Sequence, residues 1–218
     1  MVNLPVSIVD MNTVALGTRD RMAAAAADLF YAEGITASGV DAIARHAAVA
    51  KPTLYSHFRS KADLVVAALA AQHRGREQMM ERWLVERSAA PPALRLLAVF
   101  DWLEAWSAEA GGRGCPFLNA AAELVGPQYQ AAREVVRQHK AWWLALLAGL
   151  ARDAGARNPD TLAQELLLLM DGANARVLVT GDPSMVAVAR GIATRLVCES
   201  LGLAPAVPGD DPARASDA

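Results

Sequence analysis

Two cysteines in 218 residues, Cys115 and Cys198, are too few for a disulfide framework and lack the CxxC spacing of a metal site. The expectation they leave is free, buried thiols in a reducing cytoplasm. No stretch approaches the ~18 uninterrupted apolar residues that a membrane helix needs. The N-terminus shows no basic stretch ahead of an apolar core, so no secretion signal is expected either. Also missing are a glycine-rich phosphate loop, a GxSxG elbow, an HExxH pair and a supported pair of carboxylates. His46, His57, His73 and His139 do not stand at metal-ligand spacing with acids or cysteines. Neither an enzyme nor a bound metal or cofactor is therefore expected. Alternation of β-branched residues is scarce, and no segment calls for a strand.

Alanine and leucine are abundant instead, in a chain that is 54% hydrophobic and 20% charged. Both residues lose little on entering a helix, which makes the expected class all-α, with about nine helices. Residues 1–17, with Pro5 and no sustained period, read as a flexible arm. A first helix spans about 18–33, where Met22, Ala26, Leu29 and Phe30 share a face and Gly34 suits the position just past the end. Ser38-Gly39-Val40-Asp41 has the form of a capping box with Ser38 as N-cap, opening a short helix over 39–46. A second short helix covers 51–58. Ser60 to Asp63 repeats the capping pattern and opens a long helix to about residue 87. Proline and glycine breaks then delimit helices at about 93–109, 116–124, 128–153, 160–179 and 184–201. The Pro- and Asp-rich tail from 204 reads as disordered.

Residues 38–61 carry the chemistry. Two short helices joined by a turn of three to four residues form a helix-turn-helix, whose second helix enters the DNA major groove. At 100° per residue, Leu54 and Phe58 share the inward face, with Ile43 and Val49 available to lock the pair. Pro52, Thr53 and Ser56 lie on the opposite arc, aimed at base edges, and Tyr55 and His57 flank it, aimed at the phosphate walls. Lys51 and Lys61 each sit in a first helical turn, where the helix dipole disfavours a cation unless an anion stands in front of it; DNA phosphate is such an anion. Residues 18–61 carry a net charge of +2 within a chain of net −2, a modest asymmetry in the same direction.

The run Val40-Asp41-Ala42-Ile43-Ala44, then Thr53 through Leu64 with its Tyr-x-His-Phe and Ser-Lys elements, closely resembles the DNA-binding domain of the TetR family of repressors over about residues 18–66. The resemblance implies base or phosphate contacts by Ser38, Gly39, Ala50, Lys51, Thr53, Tyr55, His57 and Lys61. Three positions depart from the family's usual pattern: Ala48 replaces a frequent turn glycine, Ala50 a frequent N-cap serine and Pro52 a frequent glycine. Ala50 cannot accept a capping bond, whereas Pro52 presets φ in the first turn.

Gly114 to Ala121 is similar to a segment in the C-terminal domains of one broad TetR subgroup. In that family the C-terminal domain binds a small effector and dimerises through its last two helices. The resemblance thus implies a larger helical domain over 67–203 that senses a ligand and pairs with a second copy through residues 160–201. The apolar stripes there, Leu162-Leu166-Leu169-Met170-Ala173-Val177 and Val186-Ala189-Ile192-Ala193-Leu196-Val197, are by themselves more often monomer core than interface; the resemblance favours the interface. Pocket candidates are the polar and aromatic residues that interrupt apolar helices: Trp102, Trp106, Phe117, Asn119, His139, Trp143 and Asn174. The function expected is a cytoplasmic repressor that leaves double-stranded operator DNA when it binds a small, largely apolar effector. The alternative is a regulator whose C-terminal domain recruits a protein and binds no metabolite.

Overall fold

The computed structural model describes residues 17–203, and several of its helices start at a capping residue or a proline. The expected arm and tail fall, but for Gly17, outside that range. Among the described residues there are nine α-helices, one 3₁₀ turn and no strand. They are α1 (Thr18–Glu33), α2 (Val40–His46), α3 (Lys51–His57), α4 (Lys61–Val85), α5 (Pro92–Glu109), α6 (Pro116–Glu123), the 3₁₀ turn Pro127–Tyr129, α7 (Gln130–Asp153), α8 (Pro159–Thr180) and α9 (Met185–Leu201). None is both long and apolar enough to cross a membrane. Pro92, Pro116 and Pro159 stand at helix starts, where no N–H is needed and φ is already helical. Ser60 caps α4 by accepting the Asp63 N–H at 3.1 Å.

Ser38 does not cap α2. The N-cap is Gly39, in extended conformation and without a side-chain bond. Ser38 is fully buried, and its hydroxyl donates to the Gly34 carbonyl at 2.6 Å. A capping pattern in sequence does not say whether the chain turns one residue later, and here it does. Ala50 is the N-cap of α3, again with no side-chain bond. Ala48, in the turn between the two short helices, has φ of +53°, the only non-glycine residue with positive φ among the described residues. The left-handed backbone that glycine serves freely is thus kept with a Cβ present, at a cost of about 1 kcal/mol.

Two apolar cores divide the chain. One joins α1–α4 around Met22, Ile43, Leu54, Phe58 and Leu64, and it extends to Phe117, Ala120 and Leu124 of the α6 region and to Ala132 and Val136 of α7. The other lies between α5, α7, α8 and α9, with Trp83 and Met80 of α4 added. Arg190 of α9 is paired with Asp101 of α5 at the half-exposed edge of this second core. The α8 and α9 stripes expected at an interface are mostly inside it: Leu162, Leu166, Met170, Ala173, Val177, Val186, Ala189, Ala193 and Val197 are buried within the monomer, Leu169 and Leu196 are half-buried against the same core, and Ile192 is half-buried. Periodicity identified an apolar face correctly, but the neighbour that covers it is the chain's own α5 and α7. Leu168, Leu178, Val179 and Val188 remain outward, 75%, 46%, 77% and 58% exposed.

Candidate nucleic-acid interface and buried cavity

The helix-turn-helix presents one clean face. Leu54 and Phe58 are each 2% exposed and hold α3 to the core, while Lys51, Pro52, Thr53, Tyr55, Ser56 and His57 all point to solvent. Ser56 Oγ is committed to the Thr53 carbonyl at 2.7 Å, and Thr53 stands beside it at the exposed arc. Gly39 and Ala50 are also exposed, whereas Ser38 is not, which leaves its side chain no direct route to DNA. The anion in front of Lys51 is Asp41 of α2, 2.8 Å from its Nζ. That partner raises the lysine pKa through a hydrogen bond and its charge. Lys61 donates to the Thr36 carbonyl at 3.3 Å. Partial burial lowers its pKa, opposed by the charge of Glu123.

Glu123, which sequence reasoning passed over, ends α6 and accepts the Thr36 N–H at 2.7 Å. The α1–α2 loop is therefore held from one side by Lys61 at the start of α4 and from the other by Glu123 of α6. Gly34, in the same loop, has φ of +96°, and a Cβ there would press on the Glu123 carboxylate at 3.2 Å.

The cavity candidates divide. Trp102, Trp106, His139, Trp143 and Asn174 line one small cavity, with Arg76, Cys115, Lys140, Met170 and Asp171. Its open space is about 20 Å³, room for about one water. Phe117 lies behind it, stacked on the His139 ring with centroids 3.5 Å apart. Asn119 is absent from its walls and donates instead to the Arg113 carbonyl at 2.9 Å.

His139 is tied into a directed chain. The Trp143 Nε1–H donates to His139 Nε2 at 3.1 Å, so the imidazole proton resides on Nδ1, which faces His73 Nδ1 at 3.3 Å. A second proton on His139 would set donor against donor at Trp143. Burial first, then the charges of Arg76, Lys140 and His73, hold its pKa far below the ordinary histidine value. Tyr31, on the Arg76 side of the cavity, donates to the Gly114 carbonyl at 3.0 Å, and burial pushes its pKa up to about 12. Gly114 has φ of +62°, and a Cβ there would run into the Asn174 carbonyl, so the loop closes directly on α8.

Comparison with known proteins places this geometry. Residues 23–68 match the family described as bacterial regulatory proteins of the tetR family, and residues 92–193 match a tetracyclin repressor-like C-terminal domain. The crystal structure of a TetR-family transcriptional regulator from Streptomyces coelicolor is similar over 84% of this chain and 96% of its own, with 30% identity and a TM-score of 0.73. The chain belongs to the TetR family. It is thus a transcriptional regulator with a helix-turn-helix DNA-binding domain, and the family consists of transcription factors, not enzymes. A TetR-type regulator from Streptomyces avermitilis is similar over 87% of this chain and all of its own, with 29% identity and a TM-score of 0.65. The HTH-type transcriptional activator FasR of Mycolicibacterium smegmatis is 45% identical over 51 residues. That match spans 23% of this chain and 23% of the length of that curated relative. Binding of operator DNA is a property of the family, and its members typically dimerise.

Proposed function

We propose that this TetR-family regulator acts as a repressor: a homodimer that reads a two-fold operator through α3 and leaves it when a small, largely apolar molecule enters the cavity beside Trp102 and Trp106. The DNA contacts belong to the exposed set Gly39, Ala50, Lys51, Pro52, Thr53, Tyr55, Ser56 and His57, together with the half-buried Lys61. The observation that carries the reading is continuity. Cavity-wall residues Cys115 and Pro116 lead into α6, and α6 ends at Glu123 against the loop that precedes α2. A ligand that shifts α6 therefore bears on the DNA-reading unit. For control it must favour one spacing of the paired recognition helices, because equal affinity for two states shifts neither.

The small volume of the cavity favours a second reading, in which the C-terminal domain recruits a protein and takes no metabolite. Ordinary ligand pockets hold about 300–1,000 Å³, so binding here requires the walls to part. Genomic footprinting, followed by operator titration with and without a panel of small hydrophobic compounds, decides between them. Repression relieved by a compound that also raises the melting temperature supports the first reading. Neither release nor stabilisation by any compound supports the second, and transcription that rises with occupancy of the site makes the protein an activator.

A further inference from the structure

Within the cavity just described, α4 brings a guanidinium into the apolar interior. Arg76 is 4% exposed, with its Cζ 4.6 Å from the Trp102 ring centroid and 4.3 Å from that of Trp106. Among the described residues no carboxylate pairs with it, and Arg76 Nη1 is buried without a hydrogen-bond partner. Two further buried polar atoms without partners belong to residues lining the same cavity, the donor Trp102 Nε1 and the acceptor Asn174 Oδ1.

Nearby groups do not neutralise the cation. Asp171, the acid in the lining, is committed to Lys140 at 2.5 Å. Tyr31 keeps its proton and donates its hydrogen bond to the Gly114 carbonyl. Cys115 offers a sulfur, a weak acceptor, and Lys140 Nζ already lies 3.9 Å from it. The lining thus carries two cations, Arg76 and Lys140, against one acid. Aromatic faces return part of the cost of burying a cation, but they occupy none of its N–H donors. A buried, unpaired charge with free donors is costly and calls for an anion.

We infer that the effector is an organic acid, with a carboxylate that accepts from Arg76 Nη1 and Trp102 Nε1 and an apolar body that lies against Leu103, Trp106, Trp143 and Met170. This deepens the effector reading above and rests on it. A carboxylate matches the flat guanidinium fork and supplies the missing acceptor, and Trp102 gives a second donor that a purely apolar ligand would leave unused. To admit the ligand, the wall of Cys115 and Pro116 has to part from α8; it hangs on the 111–114 loop, where Gly111, Gly112 and Gly114 all have positive φ.

The test uses the full-length protein with benzoate, phenylacetate and octanoate, each set against its amide, which keeps the body and removes the charge. At least one acid is expected to stabilise the protein and release the operator, with an affinity roughly tenfold or more above that of its amide. Arg76→Met should cost that acid roughly tenfold in affinity and leave the amide within about twofold, with Arg76→Lys intermediate. Side-chain ¹⁵N spectra of the parent protein supply a readout free of variant folding: the acid, and not the amide, should shift the Arg76 guanidinium signals. Equal binding of acids and amides, or an Arg76→Met variant that binds the acid like the parent, overturns the inference. So does a panel in which no acid moves the Arg76 signals. If neutral compounds then still release the operator, effector control stands and only the anion falls; if no compound of either series alters operator affinity, both fall together.

Discussion

Thr53 and Lys61 illustrate how differently two side chains of one motif are placed. Thr53 stands exposed on the outer arc of α3, free of the core, whereas Lys61 lies at the foot of α4 with one bond to the Thr36 carbonyl. Thr53→Ala is expected to weaken the specific operator by about 1–3 kcal/mol, with little effect on random duplex. Lys61→Ala should weaken both alike and reduce the salt slope by about one unit. Fluorescence titrations on both DNAs at two salt concentrations check this, and variants that both bind the operator like the parent would overturn the docking geometry. Lys51 should behave less simply, because DNA must compete with Asp41 for it. His139 supports a prediction of another kind. Its folded pKa lies far below the ordinary value of 6.5, so below that pH the unfolded chain takes up a proton that the folded protein refuses. Its contribution to stability is present above about pH 6.5 and is lost as pH falls, by up to ~1.4 kcal/mol per pH unit. Denaturant unfolding between pH 7 and 5 should show this slope, and His139→Gln should flatten it.

At the scale of elements, helix ends were legible in the sequence because they depend on local chemistry. Residues 18–33 were expected and found to be helical, and Ser60 and the starts at Pro92, Pro116 and Pro159 act within one turn of themselves. Leu54 and Phe58 were likewise readable as the inward pair of α3. What escaped depends on distant parts of the chain. Arg76 looks like an ordinary solvated charge until Trp102 and Trp106 of α5 close over it, and Glu123 shows nothing in sequence of its bond to Thr36, 87 residues away. The α8 and α9 stripes announce burial but not by whom. The Glu123 bond yields a prediction for α6 itself. Glu123→Ala should cost about 1 kcal/mol of stability, speed hydrogen exchange at the Thr36 amide and leave the α8–α9 amides unchanged. Unchanged protection at Thr36 would mean that α6 does not hold the loop in solution.

For the whole molecule, the proposed homodimer would pair through the outward face of α8 and α9. Leu168, Gly172, Ala175 and Val179 follow one another along one exposed face of α8, with Val188 and Gly191 exposed on α9. Small residues there let two copies approach closely, and four helices, two from each copy, can then form a bundle about a two-fold axis. Val179→Glu together with Leu168→Glu is expected to yield folded monomers in sedimentation, whereas a charge at Leu166, which is fully buried within one copy, should unfold the protein. A parent protein that sediments as a monomer at micromolar concentration would remove the interface altogether.

The shared N-terminal core has a consequence for how such regulators can be recombined. Phe117, Ala120 and Leu124 belong to the same apolar core as Met22, Leu54 and Phe58, so the reading head carries part of its own foundation in a segment more than fifty residues downstream of it. Grafting residues 17–66 onto the body of another regulator would leave the underside of α1 and α4 against side chains shaped for a different partner. A chimera that keeps this core whole carries α6 and the first turns of α7 with the head. The core beneath the reading head is thus assembled from discontinuous pieces, which a single cut in the chain would divide.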